Sequence, residues 1–147
     1  MNGFLLDTNV VSELTRDTPT PQVIEFLAEH SELWFSTIVL HELEFGLRLL
    51  PDGRRRENLR VILADFIETY ANRILPVGYE EGQWGARFRA DARRCGRVLH
   101  LGDALIAGTA RAHDLAIATR NTGDFNGLDV ATVNPWEERL YSDEQSV

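Results

Sequence analysis

Four carboxylates stand where a solvated surface acid is not the natural reading. Asp7 closes the apolar run Gly3–Leu6 and is followed by Thr8 and Asn9. Taken alone it reads as a helix N-cap. Glu42 has Ile38, Val39, Phe45 and Leu49 at i−4, i−3, i+3 and i+7. Those spacings share one helical face, so Glu42 is expected to point along an apolar surface. Asp103 repeats the pattern, with Leu99 at i−4, Ile106 and Ala107 at i+3 and i+4, and Ala110 at i+7. It also falls in a first helical turn, where the dipole favours an anion, so capping and chemistry weigh equally for it. Asp124 follows the apolar run LAIAT after Arg120-Asn121-Thr122-Gly123, and alone reads as a turn aspartate.

A buried carboxylate must be paired, protonated or bound to a metal. Four of them gathered at one place repel one another and raise each other's pKa values. Hard divalent cations such as Mg²⁺ or Mn²⁺ relieve that repulsion, since carboxylate oxygen is their preferred ligand and a phosphate-bearing substrate completes the shell. Such ions activate a water and stabilise the leaving oxygen in phosphodiester cleavage.

The elements that must bring these residues together are short strands alternating with helices. Strands are expected at Gly3–Leu6, Leu33–Ser36, Ile74–Val77, Leu115–Thr119 and Val130–Val133. Helical spacing begins at Val10, Val11 and Leu14, and recurs over Gln22–Glu29, Ile38–Leu50, Arg54–Tyr70, Glu80–Cys95 and Gly102–His113. The segments Ile38–Leu50 and Arg54–Tyr70 are read as an αα-hairpin. The small-residue run Ala107-Gly108-Thr109-Ala110 favours tight helix packing. This is an α/β sandwich with a mostly parallel sheet, and ligands in such sheets sit beyond the carboxyl ends of the strands. Each of the four carboxylates lies near such an end or in the helix that follows.

The chain has 147 residues, enough for one domain with a sizeable core, and it is 44% hydrophobic. All 15 basic residues are arginine, which excludes a Walker A lysine, a Schiff-base lysine and the late lysine of receiver domains. A haloacid-dehalogenase-type phosphatase needs an aspartate where Asn9 stands. Cys95 is the single cysteine, so no internal disulfide forms; it is read as a packed thiol. No stretch resembles a signal peptide or a membrane span, and a soluble cytoplasmic protein is expected.

Four motifs carry a family resemblance. Leu5–Asn9 (LLDTN), Glu42–Leu47 (E-x-x-x-G-L), Asp103–Ala107 (DALIA) and Thr119–Phe125 (T-R-N-x-x-D-F) resemble the PIN-domain ribonucleases. More narrowly they resemble the VapC toxins of bacterial toxin–antitoxin pairs, and the closing Val133–Trp136 (VNPW) looks most like the FitB-type branch. The resemblance implies a Rossmann-like α/β/α sandwich, a PIN domain spanning 1–136; the polar, acidic composition of 137–147 reads as a flexible tail that matches no family motif. The resemblance also implies a Mg²⁺- or Mn²⁺-dependent endoribonuclease. Asp7, Glu42 and Asp103 would be its firmest metal ligands, and Asp124 would act directly or through water. Thr8, Thr119 and Asn121 match supporting polar positions. The implied partners are an RNA substrate, a second copy of the chain in a homodimer, and a small DNA-binding antitoxin of the VapB or FitA kind. That antitoxin would plug the toxin groove, often with an arginine, and carry the pair to operator DNA. The alternative is a protein-binding domain whose acidic pocket docks the antitoxin with little or no catalysis.

Two arginine clusters are candidates for RNA contact: Arg54, Arg55, Arg56 and Arg60, and the larger Arg87, Arg89, Arg93, Arg94 and Arg97. The competing reading is a solvated helix face with local ion pairs. The second cluster is preferred because it leads directly into the Asp103 helix, and arginine forks match phosphate geometry. His30, His41, His100 and His113 lack zinc spacing, and Trp34, Trp84 and Trp136 are expected in the core or at a dimer contact. The formal charge of −8 apportions to −3 in the tail after Trp136, −4 in the four carboxylates and −1 elsewhere. An acidic chain of this kind is expected to bind RNA only with divalent metal present.

Overall fold

The computed structural model describes residues 3–137. Strand β1 (Phe4–Leu6) leads into α1 (Thr8–Glu13), and α2 (Pro21–Glu29) precedes β2 (Leu33–Ser36). Helices α3 (Thr37–Leu49) and α4 (Arg54–Thr69) form the expected antiparallel pair before β3 (Ile74–Leu75). The chain continues through α5 (Tyr79–Arg94), α6 (Leu101–Ala112), β4 (Ala116–Ala118) and β5 (Thr132–Val133).

The five strands form one parallel sheet in the order β3-β2-β1-β4-β5. The chain builds outward from β1 through β2 to β3, then returns to add β4 on the other side of β1. The order therefore reverses between β1 and β4, and the crevice beyond their carboxyl ends is the switch point where such sheets bind ligands. Register carries this to the site. Leu6 pairs with Ala118, and the Asp7 amide donates to the Ala118 carbonyl at 2.9 Å. Asp7 and Thr119 thus leave the sheet side by side.

The central strands are buried on both faces, as in a parallel sheet covered by helices. Leu5, Leu6, Ile117 and Ala118 meet Val10, Phe26, Phe35, Val39, Phe88 and Ile106 in one core. The small residues of α6 do what their size suggests. A Cβ on Gly108 would lie 2.4 Å from the Glu81 carbonyl oxygen and 2.7 Å from the Gly85 nitrogen, so α5 and α6 touch backbone to backbone.

Several expectations change in detail. The outer strands are shorter than their apolar runs: β3 stops at Leu75 rather than Val77, and β5 begins at Thr132 rather than Val130. For β3 the cause is its single neighbour: Leu75 pairs with Ser36, the last residue of β2, so the ladder ends there. The apolar face assigned to Glu42 is not buried throughout. Phe45 is 59% and Leu49 68% exposed, and α3 instead buries Val39 and Leu47, with Leu43 partly covered. Glu42 sits at the edge of that stripe. Cys95 is exposed rather than packed, because Ala92 is the last inward residue of α5 and Cys95 is its C-cap. The three tryptophans are partly buried against the core, each under an arginine: Arg73 over Trp34, Arg87 and Arg111 over Trp84, Arg120 over Trp136. The expected tail lies, from residue 138 onward, outside the described residues. No helix among the described residues is long and apolar enough to cross a membrane.

Candidate active site

Asp7 is the N-cap of α1. Its backbone is extended and its Oδ1 accepts from the Thr8 amide at 2.8 Å. The capping reading is therefore correct, and it accounts for only one of the carboxylate's partners. Thr119 donates its hydroxyl to Asp7 Oδ2 at 2.8 Å, and Asn9 Nδ2 reaches the same oxygen at 3.3 Å. Only 6% of Asp7 is exposed. Burial pushes its carboxyl above the usual value; the Thr119, Thr8 and Asn9 hydrogen bonds oppose this, and the Asp124 charge adds to it.

Asn9 is a residue of the candidate site that sequence reasoning misses. Its Oδ1 accepts from the Arg120 amide at 3.1 Å while its Nδ2 faces Asp7 and Thr119. It ties the exit of β1 to the exit of β4. Its position two residues after Asp7 in LDTN is the available signal, but it reads locally as one more capping residue.

Glu42 comes from α3, whose N-cap Ser36 ends β2. The Thr8 hydroxyl donates to Glu42 Oε2 at 2.5 Å. The other oxygen lies over the start of α6, where a Cβ on Gly102 would be 3.1 Å from Glu42 Oε1. A glycine at that point lets the carboxylate approach the turn that carries Asp103. Asp103 sits in that first turn, half-buried, and its carboxyl is pushed up to about 6. Burial is the largest cause, followed by the charges of Asp7, Asp124 and Glu42, with His100 opposing. Asp124 is exposed on the short 3₁₀ turn Thr122–Phe125.

All four carboxylates line one open pocket of about 670 Å³, together with Thr8, Asn121 and Arg16. Thr119 lies behind it, buried, holding Asp7 and accepting from the Asn121 amide at 3.1 Å. As placed, no three acidic, imidazole or thiol groups among the described residues stand close enough to enclose a metal ion. Like charges spread across the pocket, and neutral donors hold Asp7 and Glu42 against its walls.

The preferred arginine cluster does not line this pocket. Arg89 and Arg93 face a separate groove with Arg97, Val98 and Leu99. Arg94 pairs with Asp91 at 3.0 Å, and Arg87 covers Trp84. Arg97 is structural. Its guanidinium donates to the carbonyls of Asn126, Gly123 and Asp124, clasping the turn that presents Asp124.

A buried acid outside the four also emerges. Glu13 accepts from the Thr20 amide at 2.8 Å and the Thr20 hydroxyl at 2.7 Å, and pairs with Arg16 at 3.2 Å. These donors, Thr20 first, hold its carboxyl below the usual range. It pins the loop between α1 and α2 and sets Arg16 at the pocket rim.

A groove of about 300 Å³ between α1, α3 and α4 adjoins the acidic pocket. The two share Thr8, Ser12, Thr15 and Glu42, and the wall of the groove is apolar, with Val11, Leu14, Leu43, Leu47 and Phe66.

The chain matches the PIN domain family over residues 4–130. It is 37% identical to Toxin FitB of Neisseria gonorrhoeae over 138 residues, covering 92% of this chain and 99% of that protein. It is also 37% identical to VapC ribonuclease Y4jK of Sinorhizobium fredii, covering 91% and 98%. Among solved structures it is similar to FitAcB from Neisseria gonorrhoeae, with a TM-score of 0.84, 37% identity and coverage of 90% and 98%. A parallel sheet switching direction at β1 and β4, an acidic pocket at that switch and sequence similarity along nearly the whole chain agree: the protein belongs to the PIN-domain family, on the branch that holds the FitB and VapC toxins.

Proposed function

We propose that this protein is a Mg²⁺- or Mn²⁺-dependent endoribonuclease and the toxin of a toxin–antitoxin pair. The observation that carries the reading is the convergence of Asp7, Glu42, Asp103 and Asp124, from four separate elements, on one pocket at the strand-order switch. Relatives named VapC ribonuclease and tRNA(fMet)-specific endonuclease VapC support the activity.

In kind the donor set suits a hard divalent cation, and its members would have to draw together around one. It is all carboxylate oxygen, and the rise of the Asp103 pKa to about 6 reflects burial first and then the charges of Asp7, Asp124 and Glu42 around it. Asp7, Glu42 and Asp103 would hold the ion, with Asp124 completing the set from its turn. When bound, such an ion offsets this charge and supplies an activated water for attack at phosphorus. The chain's own part is positioning. Thr119, Thr8 and Asn9 aim Asp7 into the pocket, and their hydrogen bonds favour its ionised form. Thr8 orients Glu42. Asp103, whose carboxyl is pushed up to about 6 by burial and then by the neighbouring carboxylates, is the member of the set that would hold a proton nearest neutral pH in the absence of a cation.

For partners, solved relatives include FitAB bound to a DNA fragment, 35% identical to this chain. We infer a small DNA-binding antitoxin that brings this chain to operator DNA, and a homodimer of the toxin itself. The apolar groove beside Glu42 suits an apolar antitoxin segment whose arginine would reach the carboxylates. That contact and catalysis would use the same pocket, so docking without cleavage is the reading to test against.

The test is cleavage of RNA by the purified protein and by Asp7→Asn and Asp103→Asn, in Mn²⁺ and in EDTA. Cleavage by the wild type in Mn²⁺ alone, lost in both variants with the melting transition retained, is expected. Full activity in either variant, or in EDTA, would overturn the assignment. A wild type that binds antitoxin but cleaves no RNA would favour the docking-only reading.

A further inference from the structure

The pocket has a basic neighbour. Between the end of α1 and the first turns of α4 runs a groove of about 1150 Å³ lined by Arg16, Arg54, Arg55, Asn58 and Ile62. Thr15 and Arg16 line both this groove and the acidic pocket, so one surface leads into the other. We propose that this groove is the subsite for the phosphates of the RNA strand flanking the cleaved bond, with Arg54 and Arg55 as its principal contacts and Arg16 at the junction. The proposal rests on the nuclease reading above.

Three features favour these arginines over the others. The first is availability. Arg54 and Arg55 are exposed and have no hydrogen-bond or ion-pair partner among the described residues. On the same helix Arg56 pairs with Asp52 and Arg60 with Glu57, both at 2.5 Å, so their charge is already answered. The second is charge balance: among the described residues, Asp17 is the one carboxylate on the groove's lining. Arg16, paired with Glu13, has its charge answered in the same way and marks the junction rather than supplying a principal contact. The third is continuity. The Arg89–Arg93 groove shares no lining residue with the acidic pocket, and Arg97 is engaged with backbone carbonyls. Val61 and Ile62, 50% and 41% exposed, give the basic groove an apolar flank against which a base face can rest.

The division of labour follows from charge. Four carboxylates repel a polyanion, and a subsite for flanking phosphates must therefore lie beside them rather than among them. An arginine fork takes a phosphate through two parallel hydrogen bonds, whereas sequence selection is left to the bases.

The experiment compares full-length wild type, Arg54→Ala/Arg55→Ala, the two single variants and Arg89→Ala/Arg93→Ala in RNA cleavage with Mn²⁺, across a series of salt concentrations. Each phosphate contact on a single strand contributes about −0.7 to the slope of log affinity against log salt. The double variant should raise KM on the order of tenfold with kcat within about twofold, and flatten the salt slope of kcat/KM by about 1.4. Each single variant should give about half that flattening, which keeps the test readable if the double variant melts early. Arg89→Ala/Arg93→Ala should behave as wild type. An unchanged KM and salt slope in Arg54→Ala/Arg55→Ala, or an equal loss in Arg89→Ala/Arg93→Ala, would overturn the subsite while leaving the nuclease intact. A wild type without metal-dependent cleavage would overturn the nuclease reading and the subsite together.

Discussion

The Thr119 hydroxyl donates to Asp7 Oδ2 at 2.8 Å across 112 positions of sequence. Two adjacent parallel strands end in register, and the residue after each turns toward the other. The same hydroxyl accepts from the Asn121 amide. One threonine thus joins the carboxylate at the end of β1 to the loop leading to Asp124.

Thr119→Val keeps the shape and removes these bonds. A buried carboxylate losing a donor costs about 1–3 kcal/mol, so the variant should unfold at lower denaturant by that amount. The Asp7 carboxyl should rise further, since the Thr119 bond lowers it now. Cleavage should fall by about 10- to 100-fold, as when a partner of a metal ligand is lost. Chemical denaturation and a Mn²⁺ titration of activity check both, and wild-type behaviour in each would show that Thr119 does not support Asp7.

Metal-free stability should depend on pH through Asp103. Its carboxyl is near the usual value when unfolded and is raised to about 6 when folded. The folded state therefore binds the extra proton between these values, and stability is present at acid pH and lost as pH rises through about 6. In EDTA the melting temperature should fall between about pH 4 and about pH 6.5 and level off above that. In Asp103→Asn that fall should shrink, and Mn²⁺ should offset it in the wild type alone. An identical pH profile in both proteins would dissociate Asp103 from this charge.

Arg97 is expected to act through the turn it clasps. Arg97→Ala frees the carbonyls of Gly123, Asp124 and Asn126. The Mn²⁺ concentration for half-maximal activity should then rise about tenfold. Lysine should rescue little, because one ammonium cannot reproduce a planar fork shared among several carbonyls. An unchanged Mn²⁺ dependence would mean that Asp124 is placed without Arg97.

The same substitution should have opposite effects in two helices. Gly108→Ala drives a Cβ into the backbone of Glu81 and Gly85. It should cost about 1–3 kcal/mol, the usual range for overpacking, or more, since backbone cannot rotate away. Gly46→Ala meets nothing within 4 Å and lies within α3, so it should stabilise by about 0.5–1 kcal/mol. Thermal melts of the two variants decide this directly, and a stabilised Gly108→Ala would contradict the close approach of α5 and α6.

Much of the fold and all four acids of the candidate site are legible in the order of residues. Apolar runs of strand length alternating with helical periodicity give the α/β order, because both patterns are local in the chain. The acids are visible as misfits in those patterns. The end of β3 is not, since it depends on how far β2 extends. Glu42 shows the limit of reasoning from one helix. Its apolar companions Phe45 and Leu49 are exposed, because packing chose the Val39–Leu43–Leu47 stripe for the core.

The types and order of the chemistry are written in the linear chain: four carboxylates, each near the end of a strand or in the helix that follows, in a protein with arginine but no lysine. Which groups act on one another is settled by folding alone. Packing bound Asn9 and Thr119 to Asp7, laid Arg97 over the Asp124 turn, and left Arg54 and Arg55 without partners among the described residues beside the pocket. The reason is physical. Periodicity is set within a few residues by backbone geometry, but a side chain's partner is set by which remote element packs against it. For an arginine, whether that partner is a carboxylate or a carbonyl, or is absent, cannot be read from its neighbours in the chain.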